Sequence, residues 1–179
     1  MVSFPKELGD DRQAWRLARL ALLSWLAMLG CDFFLHAGAL SRFYLRPSPF
    51  LLPPLEAFRL IPVGYLSFLL LTILLLWLML KLNLAGRKAG FLFGLKVGAL
   101  VWGSFVLGLL SISTAESGLL ASWFFGQTLE LAIGGVVLGE GLAKANLGRL
   151  FIAVLVLVIG LVSITLILQI LGIAPAAHL

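Results

Sequence analysis

Residues 86–98 read Gly-Arg-Lys-Ala-Gly-Phe-Leu-Phe-Gly-Leu-Lys-Val-Gly, and this stretch decides how the chain packs. Its glycines recur at every fourth position, at Gly86, Gly90, Gly94 and Gly98. On a helix this spacing places all of them on one face, where the missing side chains let a second helix approach closely. A later segment carries further small residues at Gly134 and Gly135. The pattern therefore predicts two tightly packed helices.

The glycine stretch leads into one of five apolar runs, each long enough to cross a membrane as a helix. We place these spans at about residues 17–40, 60–80, 90–112, 118–142 and 150–172. Of the 179 residues, 61% are hydrophobic and only 12% are charged, which is too little polar surface for a water-soluble enzyme. The sequence thus predicts an all-α integral membrane protein, a single domain over residues 1–179 in which five helices contact the lipid bilayer.

The basic residues indicate an orientation. Nine of the thirteen Lys and Arg residues flank one side of the predicted spans, whereas the other side has only Arg42, Arg46 and Arg59. The positive-inside rule then places the N-terminus in the cytoplasm and the C-terminus outside a bacterial cytoplasmic (inner) membrane. Because the net charge of +5 is explained by these flanking positions, we expect no nucleic-acid partner.

The first external connection, residues 41–59, is unusual in composition. It contains four prolines, at Pro47, Pro49, Pro53 and Pro54, together with several aromatic and aliphatic side chains. Proline fixes φ and removes a backbone donor, and the apolar side chains suit the depth of the lipid headgroups. We expect this segment to be a proline-rich loop that lies on the outer membrane interface.

Ionisable residues inside a span are costly, by about 2.5–3.5 kcal/mol on insertion scales, so each needs a partner or a role. Asp32 and His36 are four residues apart near the outer end of the first span. This spacing places their side chains on one helix face and predicts that they pair. The pair has two interpretations: a structural contact, or a site that relays protons or ligates a metal or pigment through His36.

Lys96 and Glu130 are the other intramembrane charges. Counting about 1.5 Å per residue from the turn between the third and fourth spans leaves them offset by about 7–8 Å along the axis, within reach of two long side chains. We predict either a Lys96–Glu130 pair, or a neutral Glu130 that is hydrogen-bonded by Gln127 one turn earlier. The functional alternative makes Glu130 a proton or cation site.

Catalytic and cofactor motifs are absent from the sequence. There is no phosphate-binding GxxxxGK[ST] loop, no HExxH, no CxxC and no GxSxG, and only one histidine lies in a span. We therefore expect no catalytic residues, no multi-ligand metal site and no cofactor. The alternative is a chlorophyll-type pigment with His36 as its single axial ligand.

Three stretches together resemble a family of small bacterial membrane proteins that usually have four spans and no assigned function. They are Asp32-Phe-Phe-Leu-His36 followed by Leu40 and Tyr44, the glycine-rich segment 90–98, and Trp123-Phe-Phe-Gly-Gln-Thr-Leu-Glu130 followed by Gly134 or Gly135. The resemblance covers about residues 20–143. It implies the same helical fold and marks Asp32, His36 and Glu130 without naming a chemistry. This chain departs from the family in its fifth span, its proline-rich loop and Lys96.

These observations favour a non-catalytic protein that serves as a packing or accessory subunit, either in a homo-oligomer or with a protein partner in a membrane complex. One alternative is a small proton- or ion-coupled transporter or channel that uses Glu130 and Lys96. A second is a pigment- or cofactor-binding subunit that uses His36. A third is an enzyme that acts on lipid headgroups through Asp32 and His36.

Overall fold

The computed structural model describes residues 10–44, 46, 48–144 and 146–175, and within them the chain forms six α-helices and no strand. The helices are α1 (Asp10–Phe34), α2 (Ser41–Tyr44), α3 (Pro54–Lys81), α4 (Arg87–Ile112), α5 (Ser117–Ala143) and α6 (Gly148–Ile170). A π-helical segment, Leu35–Ala39, continues α1. The all-helical architecture predicted from the sequence is confirmed.

Five of the described helices, all except α2, are long and apolar enough to cross a membrane. They correspond in order to the five predicted spans, and the limits of α4, α5 and α6 agree with prediction to within three residues at each end. The last helix ends at Ile170 because Gly172 has a φ of +68°, a backbone conformation that commonly terminates helices.

The prediction that residues 41–59 form one loop is wrong at both ends. Ser41–Tyr44 forms the short helix α2, and α3 already begins at Pro54. A proline fits the first position of a helix, because the backbone N–H that it lacks would have no partner there. Pro53 precedes it in an extended conformation, with φ −53° and ψ 144°. Pro47 lies outside the described residues.

Helices α1 and α5 form the centre of the bundle. Their facing side chains are fully buried, together with those that α3 contributes: Leu20, Met28, Leu75, Met79, Leu131 and Leu138. Helix α6 packs on the far side of α1, where a methyl group on Gly30 would lie 2.9 Å from a methyl carbon of Val158. Burying such aliphatic side chains contributes about 1.5–3 kcal/mol each.

Helix α4 contacts α5 through the predicted glycine stripe. A methyl group on Gly90 would collide with the carbonyl oxygen of Gly135, and one on Gly94 would collide with the carbonyl oxygen of Leu131. Gly98 has slightly more space, since its methyl group would lie 2.9 Å from the Cα atom of Thr128. The backbones of the two helices therefore touch, as the four-residue glycine spacing predicts.

Two glycines differ from their predicted role. Gly86 caps α4 with a φ of +96° and donates its N–H to the carbonyl of Gly139 at 2.7 Å. Glycine is favoured here by this backbone conformation, since a methyl group would meet nothing within 4 Å. Gly134 faces α1, where a methyl group would lie 2.8 Å from the sulfur of Met28, whereas Gly135 faces α4. The two adjacent glycines thus serve two different neighbours.

The two tightly packed helices contribute unequally to the buried core, since α5 is largely buried and α4 is not. Only the three stripe glycines of α4 are fully buried; Phe93, Val97 and Trp102 are partly buried against the core, and many of the other side chains are exposed. Helix α6 is similar, with only Val154 and Thr165 buried. Both helices therefore present broad apolar faces to their surroundings.

An ionic cluster joins the helices at the end of the bundle where α5 finishes. Glu140 accepts a hydrogen bond from Arg87 Nε at 2.6 Å and pairs with Lys144, while Arg16 Nη2 donates to the carbonyl oxygens of Gly141, at 2.7 Å, and Lys144, at 2.6 Å. The Glu140 side chain is only 9% exposed. These contacts fix α1, α4 and α5 to one another at this end.

Replacing Gly94 by alanine is expected to destabilise the protein, because the added methyl group meets backbone atoms that cannot move aside. The expected loss is about 1–3 kcal/mol, measured as a lower melting midpoint in mild detergent. The control is Gly108→Ala on the same helix, where nothing lies within 4 Å and the better helix propensity of alanine stabilises slightly. Equal melting midpoints for the two variants would contradict the packing described here.

Candidate functional site

Asp32 and His36 form the pair that their spacing predicts. His36 Nδ1 lies 2.8 Å from Asp32 Oδ1 and 3.0 Å from the Asp32 backbone oxygen. His36 belongs to the π-helical segment, and such local widening of a helix occurs frequently at functional sites. The side chains are 13% exposed for Asp32 and 27% for His36, so the pair is accessible from one side.

Glu130 lies on α5 and is fully buried. Gln127 Nε2 donates a hydrogen bond to Glu130 Oε1 at 3.3 Å, which confirms the contact predicted between these two residues. The second carboxylate oxygen, Oε2, is buried and has no hydrogen-bond partner. An unpaired buried oxygen of this kind costs about 1–3 kcal/mol, so it requires an explanation.

The predicted Lys96–Glu130 pair is wrong. Gly94 and Gly98 contact residues 128–132 of α5, so Lys96 lies between them at nearly the same level as Glu130. A residue two positions from both glycines points to the opposite face of α4, however, and Lys96 is exposed there. The transporter alternative required both residues in one central site, and the structure does not bring them together.

Instead, Glu130 meets the Asp32–His36 pair across the contact between α1 and α5. Each of the three residues offers one potential metal-ligand atom, and these three atoms lie within 4.8 Å of one another. Close packing makes this possible, since Ser24 Oγ donates to the carbonyl of Gly134 at 3.0 Å and holds the two helices together one turn from Glu130. The sequence singled out all three residues but did not predict that they converge.

Tyr44 of α2 covers His36. The centroids of the two rings are 4.1 Å apart, and their planes are tilted by 43°. Burial raises the pKa of the Tyr44 phenol above its usual range, and the nearby Glu130 and Asp32 carboxylates add to this effect. Tyr44 therefore stays protonated at neutral pH. In the sequence, the only indication that Tyr44 belongs to this site is its place after Asp32, His36 and Leu40 in the first of the three stretches that carry the family resemblance.

An open cavity of about 540 Å³ adjoins the site. Asp32, His36 and Gln127 contribute its polar part, and Gln169 of α6 borders it while donating to the carbonyl of Ala37 at 2.9 Å. Most of the remaining lining is aromatic and comes from α3, α4 and α5, including Tyr65, Phe68, Trp102, Phe105 and Trp123. The cavity thus combines apolar walls with one polar patch, as binding sites for small molecules commonly do.

The charges of the site are unbalanced. In the part of the chain that the structure describes, neither Asp32 nor Glu130 forms an ion pair with a lysine or arginine, and His36 is the only basic partner. Two carboxylates this close repel each other unless a proton or a positive charge lies between them. The arrangement can therefore hold a proton or bind a cation.

Comparison of this chain with protein-family models, curated proteins and solved structures gives no match. The resemblance to small four-span membrane proteins stays a hypothesis. So does the axial ligation of a chlorophyll-type pigment by His36, although His36 does border the cavity.

Proposed function

We propose that the chain is a multi-pass protein of a bacterial cytoplasmic membrane, with its N-terminus inside and its C-terminus outside. The ionic cluster supports this orientation, because Arg16, Arg87 and Lys144 gather at the end of the bundle that we assign to the cytoplasm. The Asp32–His36 pair and the cavity beside it then lie toward the outer face.

The orientation can be tested by labelling single cysteines. Cys31 is the only cysteine and is buried, so Cys31→Ala gives a background without reactive thiols. In that background we expect Thr114→Cys, in the exposed turn after α4, to react with a membrane-impermeant maleimide in intact cells. Lys88→Cys, at the exposed start of α4, is expected to react only after permeabilisation. The reverse labelling pattern would contradict the proposed orientation.

Within that membrane, we propose that the protein is a non-catalytic accessory subunit that packs against another membrane protein. Lys96 carries this proposal. It lies nine residues after Arg87, about 13 Å along a helix of about 39 Å, which is roughly 9 Å inside the hydrocarbon if α4 is centred. It is exposed and forms no ion pair among the described residues. Its stem can lift the ammonium only partway toward the interface.

A carboxylate on a different protein is the partner that suits Lys96 best. Among the described residues, a second copy of this chain has none free at that depth, because Asp32 is paired with His36, Glu130 is fully buried and Glu140 is already paired. The other described acidic side chains, Asp11, Glu56 and Glu116, lie at helix ends. Of the two assemblies considered from the sequence, these positions favour a hetero-complex.

The test is co-purification from native membranes in a mild detergent. We expect wild-type protein to elute in a particle larger than one chain, and Lys96→Leu to weaken its association by about 3- to 30-fold, the equivalent of about 0.6–2 kcal/mol for a polar contact between membrane helices. Lys96→Arg is expected to retain most of the association. The matched control is Lys88→Leu, which removes a lysine near the start of the same helix.

A wild-type chain that runs as a monomer and captures no other protein would overturn the accessory role. A stable complex that Lys96→Leu leaves intact would overturn the assignment of Lys96 to the interface.

A further inference from the structure

We propose that Asp32, His36 and Glu130 bind one divalent transition-metal ion, for which Zn²⁺ serves as the probe. The proposal is independent of the accessory role and of Lys96. It rests on two observations: three potential ligand atoms lie within 4.8 Å of one another, and the fully buried Glu130 has a carboxylate oxygen, Oε2, without a hydrogen-bond partner.

The first argument concerns charge. Asp32 and Glu130 together supply two negative charges in an apolar bundle, and no lysine or arginine pairs with either of them within the described residues. The nearest intramembrane lysine, Lys96, points away from the site across α4. A divalent cation with a neutral His36 balances the site completely. Without the ion, His36 is the only basic partner within the described residues and can balance at most one of the two carboxylates.

The second argument concerns distances. Ligand atoms that each lie about 2.0–2.2 Å from one metal ion are about 3–3.5 Å from one another. His36 Nδ1 and Asp32 Oδ1 are already 2.8 Å apart. Glu130 needs only a small shift toward them, and its one hydrogen bond, to Gln127, is long at 3.3 Å. Metal binding therefore replaces the long Gln127–Glu130 hydrogen bond and the unpaired Oε2 of Glu130 with three metal–ligand bonds.

The donor set indicates the class of metal. One imidazole nitrogen and two carboxylate oxygens suit zinc, manganese or iron(II) better than a soft ion such as copper(I). Three protein ligands leave at least one coordination position open, as in zinc sites that bind water or a further ligand. Asp32 and His36 border the cavity, so an ion can reach them from there.

The experiment uses the full chain, purified in mild detergent, stripped with a chelator and titrated with Zn²⁺ by calorimetry. We expect one tightly bound ion per chain, a higher melting midpoint with Zn²⁺, and at least a tenfold weaker affinity for Asp32→Asn, His36→Gln and Glu130→Gln. Glu116→Gln is the control, because it removes an exposed carboxylate about 21 Å along α5 from Glu130, in a weak 3.8 Å contact with Arg46. His178→Ala excludes the only other histidine as a ligand.

A readout on wild-type protein avoids reliance on variants that fail to fold. Modification of His36 by diethyl pyrocarbonate is measured by mass spectrometry. Zn²⁺ is expected to protect His36 from this modification, whereas an equal concentration of Mg²⁺ is not expected to protect it. If wild-type protein binds no Zn²⁺ and His36 is not protected, the proposal is overturned and the carboxylates share a proton instead. Binding that the three site variants leave unchanged would also overturn it, because the ion would then lie elsewhere.

Discussion

The close contact between the backbones of α4 and α5 is the constraint on which the rest of the structure depends. Gly90, Gly94 and Gly98 have no side chains to separate the helices, so carbonyl groups of α5 lie directly against α4. This contact fixes the rotation of α5 about its axis. One face of α5 then belongs to α4, and the adjoining face, which carries Gly134 and Glu130, is directed at α1.

The polar site follows from that rotation. In a bundle composed almost entirely of aliphatic and aromatic side chains, Glu130 has no lysine or arginine partner within the described residues and meets Asp32 and His36 instead. The ionic cluster around Glu140 contrasts with it, since that carboxylate pairs with both Arg87 and Lys144. The carboxylate at one end of the bundle thus has two cationic partners, whereas the two carboxylates of the site near the other end have only His36 as a basic partner among the described residues. This difference is the main reason to assign a ligand to the site.

Local patterns predicted much of this arrangement. Apolar run length gave the five long helices, the four-residue spacing gave the Asp32–His36 pair, and the glycine repeat gave the α4–α5 contact. Lys96 and Glu130 show where such reasoning fails. Counting residues from a turn gives the depth of a side chain, but the side to which it points depends on which neighbour each helix face meets. Gly134 and Gly135 are adjacent in sequence yet contact different helices, and nothing local distinguishes them.

The central claim is that Glu130 faces Asp32 and not Lys96. Cysteine cross-linking in membranes tests it most directly, in a Cys31→Ala background with Glu130→Cys combined with either Asp32→Cys or Lys96→Cys. Both second positions lie near Glu130 in depth, but on opposite sides of the α4–α5 contact. The account predicts rapid cross-linking by a short thiol-bridging reagent for the Asp32 combination and none for the Lys96 combination. Cross-linking through Lys96→Cys without any through Asp32→Cys would contradict it.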